Sequence, residues 1–533
     1  MKKLFMVMLL CICTVLSADF IVPFDDPVYD FLEMTHTLKI STFNHFQYPL
    51  YYNDIINALN DISMIRDKQF YKKQADYHLD RLNMRYPDGT HFAVIPPKKT
   101  LDSVANLFKP HNNQFRLVTI TDPKTKKSFF NLYTTTKNET YLFASGILGF
   151  HYDFKRDDNN DSRSRRYYGV ESGGNFAENF GYYIRFRKGH YIGDEDFIVE
   201  NPFISVMGNN LYSDDGKYYQ VDLMTEVDFK NPYLNFAVGY GSFEIGRSIT
   251  SSIILNHEVT PYGYIKMNKR FGILEYTGIT SQLIPDSLKN NSVYEPKSMA
   301  VQTISLHTDN FSFGLGNTII YGDRSFDIAY SSPLAIYKIM DNKYHGRDNG
   351  LFFGYGEIRP VSGFLLYSNF LFDDIKNDRY KTSKWMSFLA LQGGIIYQDS
   401  NIPVEISSEI TAVGPSTYAH KSKSLTYMHD DMMLGAEKGS NFLSFANRMR
   451  INFSRMSFSF LYENIQQGSV GVHPNSGAGE RRFLDNYITR YQYLTTQANL
   501  RLIPELHLFI KHQYNILKDR ELQYIYTGAE FKY

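Results

Sequence analysis

Cysteine is almost missing from this chain of 533 residues: there are two, Cys11 and Cys13, and both lie in the first apolar run. Past that run no disulfide, thiolate metal site or cysteine nucleophile can be built. Tryptophan occurs once and proline 19 times. Net charge is absent too, with 56 Lys and Arg against 56 Asp and Glu, so there is no electrostatic case for nucleic acid as a partner. Beyond the N-terminus no apolar stretch approaches the ~20 residues that a spanning helix needs, and a mean hydropathy of −0.35 excludes a bundle of such helices. The chain has no HExxH helix, no P-loop and no GxSxG elbow. His257-Glu258 with Ser251 and Ser252 is the nearest approach to a hydrolase set, and the 15 histidines are otherwise scattered. No catalytic residue, cofactor or metal is therefore expected.

What is abundant is aromatic: 42 Tyr and 41 Phe, 16% of the chain with the single Trp. Rings on that scale suit pleated strands. A transmembrane barrel passes the hydropathy test because only alternate residues of each strand face lipid.

Lys2 and Lys3, the apolar run Leu4 to Leu16 and the small pair Ser17-Ala18 form a secretory signal over residues 1–18, which exports the chain. Residues 19–100 read as helical. Asp26-Pro27 caps a helix with Val28, Phe31, Leu32 and Thr35 on one face. A second helix carries Ile55, Ile56, Leu59 and Ile62, and a third Tyr71, Ala75, His78 and Leu82. These stripes need a partner surface, and the periplasmic mouth of a barrel offers one.

From 101 to 533 the period is 2, with residues 101–136 read either as the first barrel hairpin or as an accessory one outside it. Phe180, Tyr182, Ile184 and Phe186 alternate with Arg185 and Arg187; Val221, Leu223, Val227 and Phe229 alternate with Asp222, Glu226 and Asp228. Short turns are expected at Asn231-Pro232, Asn268-Lys269, Asp309-Asn310, Arg359-Pro360, Ser400-Asn401 and Ser454-Arg455. Between them fall long polar loops, beginning near Gly189, Gly246, Gln282, Asp323, Asp373, Gly414 and Gln466. Strict alternation of short and long connections predicts an all-β, antiparallel, up-and-down outer-membrane barrel of roughly 18 to 20 strands. Ile525, Ala529, Phe531 and Tyr533 share one face of the final strand. That pattern resembles the signal read by the barrel-insertion machinery.

The long-loop end collects Arg247, Arg324, Asp327, Tyr330, Asp348, Asn349, Asp373 and Asp374. Guanidinium forks and carboxylates bind sugar hydroxyls through paired hydrogen bonds, Arg meets uronates bidentately and Tyr stacks on a pyranose. The same residues would equally serve as an ion network that orders loops. Arg185 and Arg187 opposite Asp222, Glu226 and Asp228 are expected to brace the lumen wall. The run Asp157 to Ser162 lacks the glycine and distal glutamate of a calcium loop.

The helical stretches VYDFLEMTHTLKI and YPLYYNDIINALNDI, followed by SGGNFAENFGYYIRFR, VGYGSFEIGRSITSSIILNHEVTPYGYIKM, IIYGDRSFDIAYSSPLAIYK, DNGLFFGYGEIRP and LYSNFLFDDIKNDRY, resemble in order and spacing the Wzi-like capsule-assembly outer-membrane family. The resemblance implies a barrel of about 18 strands with a helical element at its periplasmic end. It also implies a lectin-like role, holding capsular or related surface polysaccharide at the cell surface. A porin for small polar solutes is the alternative. Either protein would have outer-membrane lipid as its surroundings.

Overall fold

The computed structural model describes residues 20–41, 47–65, 68–85, 114–121, 128–135, 141–157, 160–175, 180–200, 218–231, 233–285, 296–324, 326–332, 335–343, 347–373, 388–468, 483–484, 488–503, 506–517 and 520–532. Three helices come first: α1 (Val28–Thr37), α2 (Tyr52–Ser63) and α3 (Gln69–Arg85). Asp26 Oδ1 accepts the Val28 amide at 2.9 Å, satisfying a donor that the first turn of α1 leaves free. Arg81 grips the same carboxylate with two bonds of 2.8 and 2.5 Å, which ties α3 to the start of α1. The expected stripes are the buried ones: Val28, Phe31 and Leu32 on α1, Ile55, Leu59 and Ile62 on α2, Tyr71, Ala75 and Leu82 on α3.

Eighteen antiparallel strands close into a barrel. In chain order they are β1 (Tyr141–Arg156), β2 (Ser162–Asn175), β3 (Phe180–Gly193), β4 (Tyr218–Phe229), β5 (Asn235–Gly241) and β6 (Tyr262–Phe271). Next come β7 (Leu274–Leu283), β8 (Lys297–His307), β9 (Phe311–Gly322), β10 (Asn349–Ile358), β11 (Phe364–Asp373) and β12 (Leu389–Gln398). The last six are β13 (Val404–Val413), β14 (Phe442–Asn452), β15 (Met456–Gln467), β16 (Thr489–Ile503), β17 (Leu506–Ile516) and β18 (Glu521–Lys532), and β18 pairs with β1. A hairpin of Gln114–Thr121 and Ser128–Thr135 joins the ladder of this wall, among the described residues, at Tyr133 opposite Tyr141. It stands outside the closure and accounts for the upper figure of 20 strands.

Two expected connections move. Asn268 and Lys269 lie inside β6, opposite Thr277 and Tyr276. The reversal falls instead at Gly272-Ile273, where Gly272 takes a φ of +62° that a side chain would resist. Gly189 belongs to β3 rather than to the loop after it.

The lumen is filled from both ends. At the short-turn end Thr37 O accepts the Gly363 amide (3.0 Å), Ser362 donates to Leu38 O (2.8 Å), Lys39 to Asn310 (2.8 Å) and Tyr71 to Asp399 O (2.9 Å). Each partner sits on a short turn, so the helices plug that mouth. From the other end, the loops at 242–261 and 414–441 fold inward. Ile253, Ile254 and Leu255 are fully buried among Tyr418, Tyr427, Met433 and Leu434, each aliphatic side chain contributing about 1.5–3 kcal/mol relative to exposure. Tyr418 and Tyr427 donate to the Ile253 and Ile254 carbonyls at 2.6 and 2.8 Å. Plug and loop meet where Gln47 and Tyr48 pair with Ile245 and Glu244.

Candidate functional site

Four of the candidate residues converge. Arg324 donates from Nε to Asp327 Oδ2 (2.9 Å) and from Nη2 to Asp348 Oδ2 (2.5 Å), while Tyr330 donates to that same Asp348 oxygen (2.7 Å). The Arg324 guanidinium lies 4.9 Å over the Tyr321 ring and 5.5 Å over Tyr330. Burial, then the hydrogen bond to Asp348 and that residue's charge, push the Tyr330 phenol up, so it stays a donor. Asp327, Tyr330 and Asp348 are buried, and Arg324 is about one-third exposed, with 31% of its side chain accessible.

The cluster is not over the mouth. Ile320 of β9 faces the lumen core, so Tyr321 beside it faces outward. Tyr330, Ala335 and Tyr337 pack on Ala300, Ile319 and Tyr321 of that outer face. Asn349 points the other way and donates to Leu425 O at 2.9 Å, which links β10 to an infolded loop. Asp373 ends β11 on its lumen-facing side and is buried. Asp374 lies outside the described residues.

Arg247, expected at the external end, is deep in the lumen. Its Nε donates to Glu357 Oε2 at 3.0 Å, its Nη1 is 3.9 Å from Glu33, and its carbonyl accepts Asn369 Nδ2 at 2.7 Å. The reason is the inward fold of the 242–261 loop, whose apolar Ile253 to Leu255 carry the whole segment into the barrel.

Around it lies an ion network that no motif announced. His36 Nε2 and Glu357 Oε1 are 2.5 Å apart, and Arg359 Nη1 donates to His36 Nδ1 at 2.8 Å. Arg450 contacts Glu405 (2.6 Å), Asp30 (2.5 Å) and Glu33 (3.2 Å). Burial pushes His36 down to about 4, with Glu357 opposing. The available signal was the run of charges at alternate, inward positions of β13 and β14, namely Glu405, Arg448 and Arg450, matched by the acids Asp30 and Glu33 on α1.

The expected cross-strand ladder holds at Asp222, which takes Arg187 at 2.7 Å and Arg185 at 3.9 Å. Arg185 bonds Asp25 more closely (3.0 Å), while Glu226 turns to Lys266 (3.0 Å) and Asp228 to Tyr51 (3.2 Å). At the acidic tip Lys155 Nζ sits 2.6 Å from Glu200, 3.1 Å from Asp157 and 3.9 Å from Asp161, so an ammonium occupies the place a cation would take. His257 bonds Glu244, Ser252 donates to Ile245 O at 2.5 Å, and Ser251 accepts the Glu437 amide at 3.1 Å. These contacts give the residues nearest to a hydrolase set separate structural roles. Part of the wall remains wet: inward Tyr491, Tyr493, Lys511, Gln513 and Tyr526 on β16–β18 are half-exposed, with Lys511 5.5 Å over the Tyr526 ring.

No family model matches the chain, and no curated protein resembles it in sequence. Among solved structures it is similar to Wzi, an outer-membrane protein involved in group 1 capsule assembly in Escherichia coli and described as a carbohydrate-binding β-barrel. Identity is 10%, the match covers 97% of this chain and 99% of Wzi, and the TM-score is 0.61. OprD of Pseudomonas aeruginosa (11% identity, 74% and 95% covered, TM-score 0.42) and a BenF-like porin of Pseudomonas fluorescens Pf-5 (8%, 74% and 98%, 0.45) also align. The chain is an outer-membrane-type barrel of eighteen antiparallel strands with the fold of Wzi, extending from the N-terminal helices through β18.

Proposed function

We propose that this barrel sits in the outer membrane and holds capsular or related surface polysaccharide at the cell surface, with residues 19–100 on the periplasmic side. The observation that carries the reading is the doubly filled lumen, because helices at one mouth and two infolded loops at the other suit a platform better than a conduit. The carbohydrate binding stated for Wzi supplies the ligand class. In this reading Asp327, Tyr330 and Asp348 position the partly exposed Arg324 at the outer rim, Asn349 and Asp373 hold the neighbouring strand ends from the lumen side, and Arg247 braces the lumen. Hydrogen bonds to sugar are worth about 0.5–1.5 kcal/mol net each, so repeated contacts along one polymer dominate and retention rises with chain length. Insertion through the barrel-assembly machinery is part of the same reading.

One observation favours a porin: the half-exposed inward faces of β16–β18. Two measurements separate the readings. Native surface polysaccharide should co-sediment with wild-type vesicles and less with Arg324→Ala plus Asp348→Ala at equal barrel abundance. Purified protein in a planar bilayer should be nearly silent. Steady conductance with no polymer retained would reject the lectin reading.

A further inference from the structure

The loop at 323–348 leaves β9 and, instead of closing over the lumen, runs down the outside of the barrel. Phe313 and Leu315 of β9 and Ile304 of β8 are exposed and face outward. By strand parity Asn317, Ile319 and Tyr321, with Ala300 and Gln302, share that face. The loop covers these positions. Gln302 Nε2 donates to Ala335 O and reaches Asn317 Oδ1 at 3.3 Å, and Thr280 of β7 lies 3.3 Å from Ser331.

The wall beneath carries three polar side chains above its exposed apolar row. On β12, β13 and β14 exposed apolar residues climb to Leu391, Ile410 and Phe445, each within three residues of the strand's long-loop end. At the upper outward positions of β7–β9 stand Thr280, Gln302 and Asn317. Bare in hydrocarbon, the Gln302–Asn317 bond would leave the rest of both amides unsatisfied and the Thr280 hydroxyl would lose Ser331. The loop supplies partners and offers a new outer surface: Phe326, Ile328, Ile336 and Ile339 are 51%, 79%, 58% and 53% exposed. Single exposed isoleucines are ordinary; four large apolar residues on one loop against a lipid-facing wall are not.

The geometry points to the 323–348 loop as an outer-leaflet element whose Phe326, Ile328, Ile336 and Ile339 contact lipid acyl chains. The occupant is lipid because this patch continues upward the exposed row Phe311, Phe313 and Leu315 of β9, while Asp327, Asp341 and Asp348 of the loop are buried and its exposed charges, Asp323, Lys343 and Arg347, lie toward its two ends.

The test uses full-length chains with Cys11 and Cys13 replaced by alanine and one new cysteine, Ile328→Cys or Ile339→Cys. Each carries a fluorophore and is reconstituted in phosphatidylcholine–phosphatidylglycerol vesicles, and each is first checked for barrel folding by heat-modifiable migration. Leu315→Cys is the lipid-facing reference and Lys421→Cys, exposed on an infolded loop, the aqueous one. Probes at 328 and 339 should be quenched by spin-labelled acyl chains as strongly as the probe at 315, and shielded from iodide. Iodide quenching like that at 421, without response to spin-labelled lipid, overturns the assignment. Shielding from both quenchers, with disulfide-linked dimers formed by unlabelled Ile339→Cys, overturns it in favour of a second copy of the chain.

Discussion

Glu357 holds His36 with one carboxylate oxygen, at 2.5 Å, and Arg247 with the other, at 3.0 Å. A helix entering from one mouth and a loop entering from the other are thus joined on a single side chain of β10. Arg359 donates to His36 Nδ1, and a guanidinium has no acceptor, so the imidazole proton belongs on Nε2, aimed at Glu357. The ring is neutral and uses both nitrogens.

Glu357→Ala should unseat the plug. It leaves buried Arg247 with only the longer contact to Glu33 at 3.9 Å and takes the acceptor from His36, and breaking a buried pair in this way costs about 3–5 kcal/mol. The expected outcome is a lower midpoint of heat-modifiable unfolding together with higher single-channel conductance. Unchanged conductance in a properly inserted variant would show that this seam does not hold the plug.

Docking of the plug should weaken in acid. His36 sits at about 4 in the folded protein against about 6.5 when undocked. Between those values the undocked form binds the extra proton, so docking stability rises with pH through that window. It is fully present above the undocked value and is lost as pH falls toward the docked one. His78, pushed below its ordinary value by burial and then by Arg81, acts in the same direction. Protease nicking of α1 followed from pH 7 to 4 should increase in wild type and flatten in His36→Gln; identical profiles would remove His36 as the cause.

Arg324→Ala should free the outer-wall loop without opening the lumen. Asp348, with 2% of its side chain accessible, would keep Tyr330 as a donor but lose its cation, at a cost on the order of 1–3 kcal/mol. Limited proteolysis between 323 and 348 should accelerate while conductance stays at the wild-type value. A conductance change would mean that this loop contacts the lumen after all.

The infolded loops depend on two phenols. Tyr418→Phe with Tyr427→Phe removes the donors to the Ile253 and Ile254 carbonyls, about 1 kcal/mol each. More frequent brief openings are expected in bilayer recordings, with unfolding nearly unchanged. Recordings indistinguishable from wild type would assign loop retention to apolar packing alone.

Much of the architecture was legible because period carries it. The stripe Tyr71, Ala75, His78, Leu82 and the alternation in β3 and β4 mark helix and strand from local sequence. Arg247 was misplaced because connector length shows only that a loop is long; Ile253 to Leu255, an apolar run inside a polar loop, was the sign that it turns inward. Asp323 to Asn349 misled in the opposite direction. Its Phe326, Ile328, Ile336 and Ile339 sit among polar neighbours without period, and only the outward parity of Gln302 and Asn317 explains them. Glu357 with His36 was illegible, since nothing local links a strand acid to a helix histidine so far away.

That separation has a consequence for assembly. His36 and Glu357 are 321 residues apart, and Asp30 and Arg450 are 420 apart, whereas α1, α2 and α3 supply most of one apolar cluster, to which the strands add Tyr183 and Met224. Local contacts form early and distant ones late, because closing long loops costs entropy. The helices can therefore gather before β10 and β14 exist to surround them. A vessel raised around its stopper needs no doorway wide enough to admit it. Drawing the stopper from the finished vessel would instead mean parting its contacts with many strands together.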